Sequence, residues 1–203
     1  AIKAALKRNE FLRNFFVREI SEYSATQLVF CDKTAANERV GDRKRVWVPK
    51  GQKRVNPLPF SEGEKYSILP AFTVDGFLCQ DIIQGSFTTG LFFYFVRDIL
   101  LPQGNPFPAS KSVIIMDNAQ VHRHSIIREM IEEAGYKLIM LPPYSPDYNP
   151  IEIAFSIMKK WIIRHHIEFV EAIVMGEMDL FLVYAMSTIS SRQAESCFKH
   201  CGY

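Results

Sequence analysis

Residues 112–152 read SVIIMDNAQVHRHSIIREMIEEAGYKLIMLPPYSPDYNPIE, and this stretch decides the fold. An apolar run at residues 112–116 predicts a buried strand, residues 126–134 a helix, and residues 136–141 a second strand. A loop with several prolines follows, and residues 151–166 are predicted to form the next helix. Strands that alternate with helices in this way indicate an α/β domain.

Upstream of this stretch, the chain has the pattern of a β-meander. Short apolar runs predict strands at residues 27–31, 43–48, 65–73 and 77–84. Helices are predicted at residues 3–20, where Phe11, Phe15, Phe16 and Ile20 recur near helical spacing, and at residues 88–101. Two further helices, roughly residues 168–200, are expected to cover one face of the sheet.

Length and composition limit the class of protein. With 203 residues the chain is expected to form a helical linker remnant at residues 1–24 and one domain with a C-terminal helical extension at residues 25–203. No apolar run approaches the ~20 residues of a spanning helix, so a membrane protein is excluded. Four scattered cysteines favour a reduced, intracellular protein. A net charge of +2 does not by itself indicate a nucleic-acid partner.

Three acidic residues lie where α/β sheets keep their sites. Asp32 follows the predicted strand 27–31, Asp117 follows the strand 112–116, and Glu152 falls in the first turn of the next helix. Each has a simpler explanation alone, because aspartates open turns and cap helices, and a glutamate is favourable at a helix N-terminus.

Taken together, the three acids predict a metal site, because two strand-end aspartates and a helix-start glutamate can converge on one edge of a sheet. Convergent carboxylates repel one another, and divalent cations relieve that repulsion. Two hard cations about 3.5 to 4 Å apart are the machinery for in-line displacement at phosphorus. We therefore expect two Mg²⁺ ions, with Mn²⁺ as a substitute.

The residues around the second and third acids resemble a known family. The run DNAQVH at 117–122, followed by PPYSPDYNPIE at 142–152, is similar to the catalytic motif of the mariner superfamily of DDE transposases. Asp117 and Glu152 are separated by 34 residues, the spacing of the superfamily's glutamate-bearing branch. Residues 45–52 (RVWVPKGQ) resemble the family's tryptophan-proline-basic-glycine element, and the closing CFKHCGY is similar to the end of eukaryotic, particularly fungal, members.

The resemblance covers about residues 25–203 and implies a ribonuclease H-like fold, a mixed sheet flanked by helices. It implies that Asp32, Asp117 and Glu152 are the catalytic residues and metal ligands, in DNA strand cleavage followed by strand transfer. Transposon ends and target DNA are the implied partners, and the nucleus is the implied location. A homodimer is considered, and the family's N-terminal helix-turn-helix region, which binds the transposon ends, is not part of this sequence.

A basic segment is the candidate for DNA contact. Between residues 39 and 54, seven basic residues stand against one acid, a density that predicts contact with a phosphate backbone. A charged hairpin edge is the simpler explanation. The predicted DNA-contacting residues are Arg43, Lys44, Arg45, Lys50, Lys53, Arg54 and His122. His122 is explained equally well as a helix-surface histidine.

Three functions remain open from the sequence: a transposase catalytic domain, a ribonuclease H-like nuclease without strand transfer, and a domesticated or inactive copy that binds DNA or protein. The 34-residue spacing argues against the second, and retention of all three acids argues against the third. Lys33, which stands where the family usually has an acid, keeps the third open. Asp147 could be mistaken for the third ligand, and we assign it to the turn of its loop.

Overall fold

The computed structural model describes residues 9–37, 65–117 and 125–203. The strands in these residues are β1 (Leu28–Cys31), β2 (Thr34–Asn37), β3 (Lys65–Thr73), β4 (Gly76–Gln84), β5 (Val113–Met116) and β6 (Lys137–Met140). The α-helices are α1 (Glu10–Ile20), α2 (Thr89–Tyr94), α3 (Ser125–Glu133), α4 (Pro150–Arg164), α5 (His166–Met175), α6 (Met178–Ser187) and α7 (Ser191–Cys201). A π-helical segment, Phe95–Leu100, continues α2.

The six strands form one mixed sheet. β3 pairs antiparallel with β4 on one side and with β1 and β2 on the other. β1 and β2 pair with successive parts of β3 without a shift in register, since Cys31 lies opposite Ala71 and Thr34 lies opposite Ile68. β1 then pairs parallel with β5, and β5 pairs parallel with β6. The carboxyl ends of β1, β5 and β6 therefore meet at one edge of the sheet.

Helices cover both faces of this sheet. Successive side chains of a strand point to opposite faces, and both sets are apolar and buried in β1 and β5. In β1, Leu28 and Phe30 belong to one apolar core, and Val29 and Cys31 to the other. The first core contains residues from α1 and from α4 to α7, among them Phe16, Phe155, Phe169, Leu182 and Phe198. The second core contains residues of α2, α3 and the π-helical segment, among them Phe92, Phe95, Ile127 and Ile131. The predicted α/β class, with a mixed sheet flanked by helices, is confirmed.

Most predicted strands are present with boundaries shifted by a residue or two. The predicted strand at residues 43–48 lies outside the described residues. β2 was not predicted, because its sequence, TAAN, has residues that are poor in strands. It is a strand because it continues the register of β1 along β3, where its backbone groups find partners.

The N-terminal helix buries only two of the four apolar residues of the predicted face. Phe16 and Ile20 are buried as expected, but Phe11 and Phe15 are 77% and 60% exposed. Arg13 takes the third place on the buried face, one turn before Phe16. Asn9 caps the helix, since its side-chain oxygen accepts a hydrogen bond from the Leu12 N–H. The division of the chain at residue 24 stays a prediction.

The C-terminal region contains three helices after α4, so the prediction of two was wrong. Gly176 ends α5 in the left-handed region, at φ 72°, where glycine is favoured. Ser190 and Gln193 then form a capping box that starts α7 as a separate helix. No helix within the described residues is both long enough and apolar enough to cross a membrane.

Candidate active site

Two of the three predicted acids are placed by the pairing of parallel strands. Cys31 at the end of β1 lies opposite Met116 at the end of β5, so Asp32 and Asp117 are the next residues of adjacent strands. Paired strands run about 4.8 Å apart. The backbone register therefore brings the two aspartates side by side at the carboxyl edge of the sheet.

Asp32 is a buried carboxylate whose two oxygens both accept hydrogen bonds. It is 9% exposed, and the Lys33 N–H donates to its Oδ1 at 2.7 Å. The side-chain amide Nδ2 of Asn149 donates to its Oδ2 at 2.9 Å. These two bonds fix the plane of the carboxylate, because each oxygen is held from a different segment of the chain.

The third acid is carried by a loop and the helix after it. We call residues 141–149 the active-site loop. It begins beside β5, where the Leu141 N–H donates to the Met116 carbonyl at 2.8 Å, and it ends at Asn149, the N-cap of α4. Pro150 suits the first turn of α4, since it lacks an N–H that would have no helical partner. Glu152 lies exposed in that same turn.

A cavity of about 400 Å³ brings the three acids together. Its walls come from the two strand ends, the active-site loop and the start of α4. The residues that line it are Asp32, Asp117, Leu141, Pro142, Pro143, Tyr144, Ser145, Pro146, Asn149 and Glu152. Tyr144 at this wall adopts a left-handed backbone, with φ 58°, a conformation that costs a residue with a side chain ~1 to 2 kcal/mol.

The chemistry of the lining residues fits a hard divalent cation. Three carboxylates supply the oxygen ligands that Mg²⁺ prefers. The side-chain Oδ1 of Asn149 is a further buried oxygen, with no hydrogen-bond partner among the described residues. Within residues 9–37, 65–117 and 125–203, however, no three His, Cys, Asp or Glu side chains are gathered closely enough to hold one ion. The structure thus brings the three acids to one cavity, and their role as ligands stays a prediction.

Asp147, the competitor of Glu152 for the role of third acid, has a different partner. It lies in the 3₁₀ turn Pro146–Tyr148, and its carboxylate accepts two hydrogen bonds from Arg13 of α1, at 2.7 and 3.2 Å. The hydrogen bond to Asp147 raises the pKa of Arg13 above its ordinary value. Glu152, by contrast, lines the cavity.

Arg43, Lys44, Arg45, Lys50, Lys53, Arg54 and His122 lie outside the described residues.

Two residues that the sequence analysis missed are part of this site. Asn149 holds Asp32 by a hydrogen bond. The sequence signal that could have indicated Asn149 is its place directly before Pro150, because an Asn-Pro pair is typical of a helix start. Arg13 holds the active-site loop, and its signal was its spacing of three and seven residues from Phe16 and Ile20 on one helical face. Neither signal indicates the partner that each side chain finds.

Comparisons with known proteins identify a family and a fold. A family profile described as "DDE superfamily endonuclease" matches residues 27–174, which is most of the chain. No functionally curated protein matches the chain in sequence.

Several solved structures have the same fold. A Mos1 strand transfer complex matches with a TM-score of 0.59 at 15% identity, covering 94% of this chain and 59% of the other. A Mos1 transposase paired-end complex with the left transposon end matches at 0.58 and 16% identity, covering 95% and 60%. A mariner Mos1 paired-end complex with Mg matches at 0.58 and 14% identity, covering 93% and 57%. The chain therefore spans about three fifths of the length of these proteins, and the predicted ribonuclease H-like fold is confirmed.

Proposed function

This chain belongs to the DDE superfamily endonuclease family, and from that membership we propose that it is the catalytic domain of a mariner-type DNA transposase. The observation that carries the proposal is the cavity at the carboxyl edge of the sheet, which Asp32, Asp117 and Glu152 line together. Further support comes from the shared fold with Mos1 transposase complexes, which hold transposon ends.

The same three carboxylates are the residues that would hold two divalent ions, Mg²⁺ or Mn²⁺, and Mos1 complexes with each ion have this fold. When bound, such ions make an attacking oxygen more nucleophilic and stabilise the negative charge of the leaving oxygen. Asp32 is prepared for the role of ligand, since Asn149 and the Lys33 N–H fix its orientation before any ion arrives.

The reaction that we propose is two successive displacements at phosphorus. In the first, water attacks a backbone phosphorus, the bond from phosphorus to the 3′-oxygen breaks, and a 3′-hydroxyl and a 5′-phosphate result. In the second, the freed 3′-hydroxyl attacks a phosphorus of the target strand and displaces that strand's own 3′-oxygen. The carboxylates of Asp32, Asp117 and Glu152 would act on the phosphate through such ions, because carboxylates alone repel it, and the half-exposed ring of Tyr144 lies at the wall of the same cavity.

DNA is the proposed partner, and the basic residues between positions 43 and 54, together with His122, are the proposed backbone contacts. Because such contacts neutralise phosphates without reading bases, we expect binding by this chain to be weak, insensitive to sequence and steeply dependent on salt. Selection of transposon ends belongs to a helix-turn-helix region outside this sequence. A homodimer and a nuclear location complete the proposal.

The direct test has two assays on the same preparation. In the first, supercoiled plasmid is incubated with the chain and Mg²⁺ or Mn²⁺, with EDTA as the control, and we expect nicked circles only with metal. In the second, a labelled oligonucleotide with a pre-cut 3′ end is offered with a target plasmid, and we expect joined products. Nicking without joining would indicate a nuclease, and neither product would indicate an inactive or domesticated copy.

A further inference from the structure

Arg13 is the charged side chain by which helix α1 contacts the active-site loop. This residue is 9% exposed, and its Nη1 donates to the Ser145 Oγ at 2.8 Å. The same guanidinium donates to both carboxylate oxygens of Asp147, at 3.2 and 2.7 Å. Two parallel bonds between a guanidinium and a carboxylate fix direction as well as distance, which a lysine cannot reproduce.

Tyr148, the loop residue after Asp147, is also held by helix α1. The Arg13 guanidinium lies 4.2 Å from the centre of the Tyr148 ring, and Phe16, one turn later, stacks on that ring at 5.5 Å between centroids. A cation over a tyrosine face is attractive, and the attraction is stronger when the pair is shielded from water. Arg13 and Phe16 together therefore hold three side chains of the loop, those of Ser145, Asp147 and Tyr148.

The loop passes this constraint to the acids of the cavity. Asn149 follows Tyr148 directly, is 3% exposed, and donates from Nδ2 to Asp32. The Glu152 N–H donates to the Asn149 carbonyl at 3.1 Å, so the same residue starts the helical turn that carries Glu152. A displacement of the loop would thus move the partner of Asp32 and the base of Glu152 together.

We propose that Arg13 is a positioning residue of the active site: by fixing the active-site loop through Ser145 and Asp147, it sets Asn149 against Asp32 and orients the start of α4. The proposal rests on the proposed function, for which Asp32 and Glu152 are the working acids. Arg13 lies outside the residues that match the family, 27–174, so this assignment comes from the contacts alone.

The test compares Arg13→Gln, Asp147→Asn and the double variant with wild type, and uses Arg18→Gln as the control. Arg18 is an exposed arginine of the same helix, so its change removes the same charge without touching the loop. Two quantities are measured: the rate and DNA half-saturation of metal-dependent nicking, and hydrogen exchange at the amides of Tyr148 and Asn149, which bond to loop carbonyls.

We expect Arg13→Gln to lower the nicking rate by about 10- to 100-fold, because misplacement of catalytic groups by an ångström costs on that order. DNA half-saturation should change by less than about twofold, because the substrate contacts remain. Exchange at Tyr148 and Asn149 should accelerate in both single variants. The double variant should match Arg13→Gln alone within about twofold, because both changes remove the same contact between Arg13 and Asp147. Arg18→Gln should match wild type, and Arg13→Lys should fall between.

Several results would overturn the assignment. A wild-type nicking rate in Arg13→Gln would do so. Lost activity with unchanged exchange at Tyr148 and Asn149 would also do so, because Arg13 would then act by a route other than the loop. A melting curve would reveal whether Arg13→Gln folds poorly. In that case Asp147→Asn, which breaks the same contact from its exposed side, decides whether the contact positions the loop, through its nicking rate and its hydrogen exchange. A wild-type chain that nicks no DNA would instead refute the proposed function, and the exchange comparison would still decide whether Arg13 fixes the loop.

Discussion

The two sides of the cavity are built by different kinds of interaction. On the strand side, Asp32 and Asp117 take their places from the main-chain pairing of β1 with β5. On the loop side, Glu152 depends on the active-site loop, which is held by side chains from opposite ends of the chain. Arg13 holds it from α1, and the Tyr203 hydroxyl donates to the Tyr148 carbonyl at 2.7 Å from the residues after α7.

This difference determines how each side responds to mutation. Strand pairing uses backbone groups that nearly every residue possesses, so many sequences keep the two aspartates adjacent as long as the core remains packed. The loop side uses a few specific side chains, and Arg13 and Ser145 are 132 positions apart. Loss of one such side chain should shift the loop while the rest of the fold survives.

The largest effect is expected where the two sides meet, at the acids themselves. Asp32→Asn, Asp117→Asn and Glu152→Gln should each lower metal-dependent nicking by about 10³-fold or more, because each keeps the shape and removes one ligand charge. Asp179→Asn, an exposed acid of α6, is the matched control and should retain activity. If Asp147→Asn lost more activity than Glu152→Gln, our choice of the third acid would be wrong.

A large loss of stability is expected from the strand side. Ile115 in β5 is fully buried, and Ile115→Ala should lower the free energy of unfolding by about 2 to 5 kcal/mol through lost burial and a residual cavity. Ile126→Ala in α3 removes the same atoms from a side chain that is 60% exposed and should cost under about 0.5 kcal/mol. Urea unfolding of both variants measures the difference, and equal costs would contradict the described packing.

A smaller loss is expected on the loop side. Tyr203→Phe keeps the ring, which packs against Phe30 and Phe198, and removes only the hydroxyl that bonds to Tyr148. It should lower the free energy of unfolding by about 0.5 to 1.5 kcal/mol, the net value of one hydrogen bond. Hydrogen exchange at the Asn149 amide should accelerate. Unchanged exchange there would show that the Tyr203 hydroxyl does not hold the loop.

The smallest effect is a pH dependence near Tyr203. Burial raises the pKa of the Cys201 thiol to about 11, whereas an unfolded chain loses this proton near pH ~8.5. Between these values the folded state holds a proton that the unfolded state has released, so the free energy of unfolding falls as pH rises. From pH 7.5 to 9 we expect Cys201 to contribute a loss of about 0.8 kcal/mol or less. Urea unfolding of wild type and Cys201→Ala at both pH values measures it, and identical losses would exclude this thiol as a source.

Local patterns in the sequence determined the strand side. The apolar runs at residues 27–31 and 112–116 predicted strands, and an acid after each run predicted a site at the sheet edge. A similar local signal predicted the helix that carries Glu152, because proline and acidic residues are both favourable in the first turn of a helix. The predictions of these strands and of this helix succeeded because strand formation and helix capping depend on residues within a few positions of one another.

Only the tertiary structure decided the loop side. Nothing near Arg13 in the chain indicates that it meets Ser145 and Asp147, and the exposed Phe11 and Phe15 are more apolar choices for the buried face of α1. β2 is a second example, since the pairing with β3 outweighs the low strand propensity of TAAN. In both cases the partner is distant in sequence, and a buried guanidinium or backbone group is stable only when the folded chain supplies that partner.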